Sequence, residues 1–186
     1  MQKWTREQAL ALLYEHTRGE SLRRHALAVE AAVRSYARLL GGDEELWGLA
    51  GLLHDLDYER YPSADDHPYR GAEILRQQGY PEDVVQAVLS HASHTGVARR
   101  SPLDRALFAC DELCGLIVAA ALVQPSKQLA EVKASSVKKK LKDKSFARNV
   151  NRDEIRQGAE ELEVDLGDHI GRVLEALRGV ASSLGL

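Results

Sequence analysis

Apolar residues recur along this chain at spacings of three and four, and no run of strict alternation is long enough to make a strand, so the pattern predicts an all-α fold. Thr5 and Gln8 form a capping-box start for a first helix carrying Leu10, Leu12 and Leu13, which fades near Arg18 and Gly19. A second helix is predicted from Ser21 to Leu40. Its apolar stripe is Leu22, Ala26, Val29, Val33 and Tyr36, it stops at Gly41-Gly42, and His25 lies on the stripe. Asp43, with Glu44 and Glu45 in the first turn, starts a third helix so rich in leucine and alanine that it must be buried. That helix ends in His54-Asp55.

A polar stretch from Asp57 to Asp66 follows, containing Tyr58, Arg60 and Tyr61. Pro68 and Pro81 fit the first turns of a fourth and a fifth helix, with His67 opening one and His91 closing the other. The sixth begins with the capping box Ser101-Pro102-Leu103-Asp104 and runs to about Val123; Asp111 sits beside its stripe of Leu103, Leu107, Cys110, Cys114, Ile117 and Ala121. After a basic segment, two amphipathic helices are predicted over Arg152 to Val164 and Leu166 to Leu184. Nothing divides the chain, so residues 1–186 read as one helical domain whose C-terminal helices pack on its core. His16 and His169, outside any polar pattern, are expected at the surface.

Composition narrows the function classes. The chain has 186 residues, 44% of them hydrophobic, with 25 Lys and Arg against 28 Asp and Glu for a net charge of -3. A general polyanion-binding surface is thereby excluded. The charge is uneven, however: Lys127 to Arg148 holds eight basic residues and two acidic ones, a local balance of +6, so the remainder carries -9. No apolar run reaches the roughly 18 residues of a membrane span, and the start, Met1-Gln2-Lys3-Trp4, does not read as a secretory signal. A cytoplasmic protein is expected. Cys110 and Cys114, one turn apart among apolar neighbours, read as small hydrophobes.

Polar groups on buried helix faces need partners, because an unpaired buried charge costs several kcal/mol. His25, His54, Asp55 and Asp111 are four such groups on three apolar helices. One divalent cation at their convergence would satisfy all four, and mixed nitrogen and oxygen donors suit manganese, iron, zinc, nickel or magnesium.

The ordered set His25, His54-Asp55, Asp111 resembles the signature of the HD-domain superfamily of metal-dependent phosphohydrolases, over roughly residues 21 to 123. The resemblance implies a compact all-α HD domain in which these four residues bind one metal and Asp55 bridges to a second. His67-Pro68-Tyr69-Arg70-Gly71-Ala72 is similar to the His-x-x-x-Gly-Ala segment of HDIG-type members, and His91 falls where such members place another histidine; both imply a second ion, held by His67 and His91. Ser126-Lys127 and Lys144-Ser145-Phe146-Ala147 also resemble segments of a group of HD hydrolases of this size, from which no substrate follows.

The implied function is hydrolysis of a phosphate ester by metal-activated water. Asp55, Asp57 and His94 are the catalytic candidates, and Arg60, Lys138, Lys142 and Lys144 the candidates for substrate phosphates. The competing reading of each lysine is a solvated helix face, and of Asp57 and Arg60 plain loop surface. The expected substrate is a small phosphorylated molecule or nucleotide. Nucleic acid is disfavoured, because the basic stretch lacks interleaved aromatics apart from Phe146. Two other classes fit the same ligand order: a diiron oxygenase similar to myo-inositol oxygenase, and a non-catalytic nucleotide or metal sensor.

Overall fold

The computed structural model describes residues 4–186, so the reading of Met1 to Lys3 lies outside the described residues. Ten α-helices and two short 3-10 turns, at Ser93–Thr95 and Leu129–Glu131, carry the fold, with no strand among the described residues. The six N-terminal helices are α1 (Arg6–His16), α2 (Glu20–Leu40), α3 (Glu44–Leu53), α4 (Tyr69–Gln77), α5 (Glu82–His91) and α6 (Pro102–Leu122). The basic segment holds α7 (Ala134–Lys142), and α8 (Arg152–Glu161), α9 (Leu166–Arg178) and α10 (Ala181–Leu184) close the chain.

The expected caps form. Thr5 and Gln8 satisfy each other's amides at the start of α1, Asp43 accepts from Glu45 and Leu46, and Ser101 and Asp104 make the box that opens α6. Pro68 and Pro81 differ from expectation by one position, standing just before their helices rather than inside the first turn. The long last helix is broken. It ends at Arg178, whose guanidinium donates to the carbonyls of Leu129, Ala130 and Val132, and Gly179, a poor helix former, lets the chain turn before α10.

Helix α3 is buried from Trp47 to Leu53, as its lack of polar surface requires. It lies against α2, and α2 in turn packs on α6 and α9. The α2–α3 approach is close enough that a Cβ on Gly51 would meet the Glu30 backbone at 2.9 Å. A second such approach joins α8 to α6, where a Cβ on Gly158 would stand 2.5 Å from Ala109 Cα. One apolar cluster runs through all these helices, and the free thiols of Cys110 and Cys114 are part of it, with burial pushing both pKa values up.

Of two histidines expected at the surface, one is not there. His169 on α9 is fully buried: its Nδ1 accepts from the Tyr36 hydroxyl at 2.6 Å and its Nε2–H donates to the Ala109 carbonyl at 2.9 Å. It ties α9 to α2 and α6. His16 is half-buried at the end of α1, and desolvation holds its pKa below the ordinary value. No helix among the described residues is long and apolar enough to cross a membrane.

Candidate metal centre

Five separate pieces of chain deliver polar side chains to one point. His25 comes from α2, His54 and Asp55 from the turn that ends α3, His67 from the residue before Pro68, His91 from the last residue of α5, and Asp111 from mid-α6. All but His54, which is fully buried behind them, wall a cleft of about 570 Å³.

The Asp55 carboxylate is divided between two groups. Its Oδ2 lies 3.9 Å from His25 Nε2 and 3.4 Å from His54 Nε2, whereas its Oδ1 lies 3.5 Å from His67 Nε2 and 3.6 Å from His91 Nε2. Asp111 Oδ1 completes the first group, 2.8 Å from His25 Nε2 and 3.5 Å from His54 Nε2. Only the His25–Asp111 contact is a good hydrogen bond. The others are too long for that, yet suit co-ligands, since two donors each about 2.1 Å from a shared ion stand roughly 3 to 4 Å apart.

The imidazoles are set from behind. His54 Nδ1–H donates to the Gly51 carbonyl at 2.8 Å and His91 Nδ1–H to the Val88 carbonyl at 2.5 Å, each reaching back one turn along its own helix. His67 Nδ1–H donates to Asp57 at 2.7 Å. In all three the Nε2 lone pair is left facing inward, the tautomer a metal ligand needs. His54 Nε2 is buried with no hydrogen-bond partner. A divalent cation fits that orphaned nitrogen and this donor set, and the ligand atoms of each triad, His25-His54-Asp55, His54-His91-Asp111 and Asp55-His67-His91, lie within 4.8 Å of one another.

Electrostatics agrees. Burial opposes the charged forms of Asp55 and Asp111, but the neighbouring histidines outweigh it and hold both carboxyls well below their usual range. Burial likewise opposes a charged His54, and the two carboxylates outweigh it, raising that pKa. The pocket therefore favours opposite charges packed together, the balance a cation would take over.

The remaining candidates separate. Asp57 is fully buried behind His67, accepting from that ring and from the Gly71 amide at 2.7 Å, so it fixes the His67 imidazole rather than facing the cleft. A Cβ on Gly71 would stand 3.1 Å from the Asp57 carboxyl carbon, which explains why a glycine follows His67 by four residues. His94 is on the cleft wall, its Nε2–H donating to the His67 carbonyl at 2.8 Å. Arg60 is turned away: its guanidinium donates to the Glu15 carbonyl on α1. Lys138, Lys142 and Lys144 do not fold over the cleft. Lys138 reaches toward Gly167 at the start of α9, and Lys142 and Lys144 line a separate hollow.

Three cleft residues escaped sequence reasoning. Tyr58 sets its ring edge-on to His67, with centroids 5.1 Å apart. Glu112 and Glu154 bring acidic groups to the wall, and burial, then the adjacent Asp111, pushes Glu112 up to about 7. Glu112 follows Asp111 directly, which is a signal; Glu154 comes from α8, whose place against the cleft is a matter of tertiary packing.

The HD domain family matches residues 22–116 of the chain, an interval that contains all six candidate ligands. Among curated proteins, the Ribonuclease Y of Desulfotalea psychrophila is 31% identical over 149 residues, 76% of this chain, and that of Sulfurovum sp. is 28% identical over 146 residues. Ribonuclease Y 2 of Levilactobacillus brevis is 31% identical over 108 residues. The chain spans 28% of the length of the first two and 19% of the third.

Proposed function

Since the chain belongs to the HD domain family, we propose that it is a metal-dependent phosphohydrolase, opening a phosphate ester with metal-activated water. The observation that carries this reading is the division of Asp55, one oxygen toward His25 and His54 and the other toward His67 and His91. Divalent ions held by these two groups would acidify a water toward neutral pH and set positive charge against the phosphoryl oxygens.

The side chains do the positioning. Asp55 and Asp111 supply negative charge, the backbone carbonyls of Gly51 and Val88 fix two imidazoles, and Asp57 fixes a third. His94, anchored through Nε2–H, keeps Nδ1 as the acceptor with which it would move a proton at the cleft. Manganese, iron, zinc, nickel and magnesium all suit this mixed donor set.

A small phosphorylated molecule or a nucleotide is the first substrate class. The ribonuclease names of the relatives support a second, the phosphodiester of RNA, against the expectation that nucleic acid is disfavoured.

Asp55→Ala is expected to lose both bound metal, measured by elemental analysis, and hydrolysis of bis(p-nitrophenyl) phosphate, by about 10³-fold or more. Retention of full activity would sink the assignment. Oxygen uptake by the ferrous protein without phosphate ester cleavage would replace the hydrolase reading with an oxygenase.

A further inference from the structure

Beside the metal cleft, on the far side of the turn formed by residues 150–154, a second hollow of about 290 Å³ is lined by Lys142, Lys144, Arg148, Arg152 and Arg156, with Asp153 its one acidic residue. Two of these cations are already engaged. Arg156 pairs with Asp153 at 2.8 Å, and Arg152 donates to the carbonyls of Asp143, Phe146, Ala147 and Val150. Lys142, Lys144 and Arg148 are exposed, and their side chains have no ion pair or hydrogen bond among the described residues. Elsewhere Arg6, Arg34, Arg76, Arg99 and Arg178 each meet a glutamate. Three uncompensated cations converging on one hollow, in a chain of net charge -3, are a local excess that an anion would neutralise.

The loop that presents them is built in advance. Arg152 gathers four of its carbonyls, Ser145 bonds Asp143 through both its amide and its hydroxyl, and Lys140 lies over the Phe146 ring at 3.9 Å. An anion would not have to order it, which removes one cost of binding. The same turn also touches the metal cleft. The Asn151 amide donates to Glu112 at 2.9 Å, Val150 lies 3.9 Å from where a Cβ on Gly115 would stand, and Glu154 is on the cleft wall. Asn151 to Glu154 is one helical turn, about 5 Å along the axis.

We infer that Lys142, Lys144 and Arg148 form an anion subsite for a second, non-reacting phosphate of the substrate. Glu112 and Glu154 stand on the cleft wall beside the turn that also borders this hollow, and acidic side chains disfavour a phosphate placed between the two sites. They accept hydrogen bonds from hydroxyls instead. The ligand class is therefore one in which two phosphates are spaced by a sugar, as in a short oligonucleotide, and not the contiguous phosphates of pyrophosphate or a nucleoside triphosphate. The reacting end of this inference rests on the hydrolase reading; the subsite itself does not.

The variant is Lys142→Gln, Lys144→Gln and Arg148→Gln together, all at exposed positions. For the metal-loaded protein, KM for a 5′-phosphorylated dinucleotide is expected to rise about tenfold or more, with kcat within about twofold and hydrolysis of bis(p-nitrophenyl) phosphate unchanged. An equal change for both substrates, or none for either, overturns the inference. Independently, inorganic phosphate added to chelator-treated protein should shift the backbone amide resonances of residues 142–153, and the triple variant should abolish those shifts. Shifts confined to the cleft around Ser93 and His94, or absent altogether, count against the subsite. If wild type hydrolyses neither ester with any metal, the hydrolase reading fails while the amide shifts still decide the subsite.

Discussion

Asp57 does its work without touching the cleft. Its two oxygens are both committed, one to His67 Nδ1–H and one to the Gly71 amide, and a carboxylate behind an imidazole raises the basicity of the nitrogen that faces a metal. Gly71 is what lets the carboxylate sit there. A Cβ at that position would come within 3.1 to 3.4 Å of all three carboxyl atoms, displacing the acceptor and rotating the His67 ring. On the proposed metal reading, Gly71→Ala is therefore expected to weaken ion binding at His67 and His91 by about 10- to 100-fold, the usual effect of disturbing a ligand's supporting hydrogen bond. If the two proposed groups each hold an ion, elemental analysis after limited chelation should fall from two ions per chain to one, with the His25, His54 and Asp111 group still loaded. Equal loss of both ions would mean that the two groups are not separable. The His-x-x-x-Gly spacing was visible in the sequence; the partner that explains it, Asp57, reads there as a proton-transfer candidate or as plain loop surface and not as a support for His67, because nothing in the chain order says which way its side chain turns.

Among the elements, α9 is the one whose face was misjudged. Its buried residues are His169, Ile170, Val173, Leu174 and Leu177, so His169 continues the same stripe one turn before Val173. The period of the helix placed it inside; its polarity argued for the surface, and the pattern prevailed because Tyr36 and the Ala109 carbonyl satisfy both ring nitrogens. Burial then lowers its pKa to about 4 from an ordinary value of 6.5. The sign follows directly. Between those values the unfolded chain binds a proton that the folded protein refuses, so the contribution of the neutral buried ring is complete above pH 6.5 and is lost as pH falls toward 4. A shift of this size corresponds to about 3 kcal/mol. His169→Gln keeps an amide able to donate to Ala109 and removes the titration. The stability gap between wild type and this variant, from urea unfolding at pH 7.5 and pH 4, should narrow by up to about 3 kcal/mol in acid. A gap independent of pH would mean that the ring accepts a proton in place. The capped helices α1, α3 and α6 were legible to within a residue because their start signals are local; the break at Gly179 was not, because the Arg178 contacts that accompany it reach residues 129–132, far away in the chain.

At the scale of the whole molecule, α8 meets α6 most closely at Gly158. The stretch from α2 to α6 carries every candidate metal ligand, and each candidate was legible as a polar residue interrupting an apolar stripe or standing at a helix end, even across the 86 positions from His25 to Asp111. What α8 adds was not legible. Glu154 on the cleft wall and the basic hollow beside it depend on how close α8 comes to α6, and that distance is set by a glycine whose role appears only in three dimensions. A methyl group at Gly158 would meet Ala109 Cα at 2.5 Å and its Cβ at 2.8 Å, backbone and stub side chain that cannot swing aside. Gly158→Ala must therefore lift α8 from α6. Overpacking of this kind costs about 1 to 3 kcal/mol, which a lowered Tm would register. The functional consequence is selective: the ligands on α2 to α6 stay in place, so metal content should be unchanged, while Glu154 and the cationic loop move relative to the cleft. KM for a two-phosphate substrate should then rise more than KM for bis(p-nitrophenyl) phosphate. If metal is lost together with that selectivity, α8 is part of the centre itself and the division of labour between the helices is wrong.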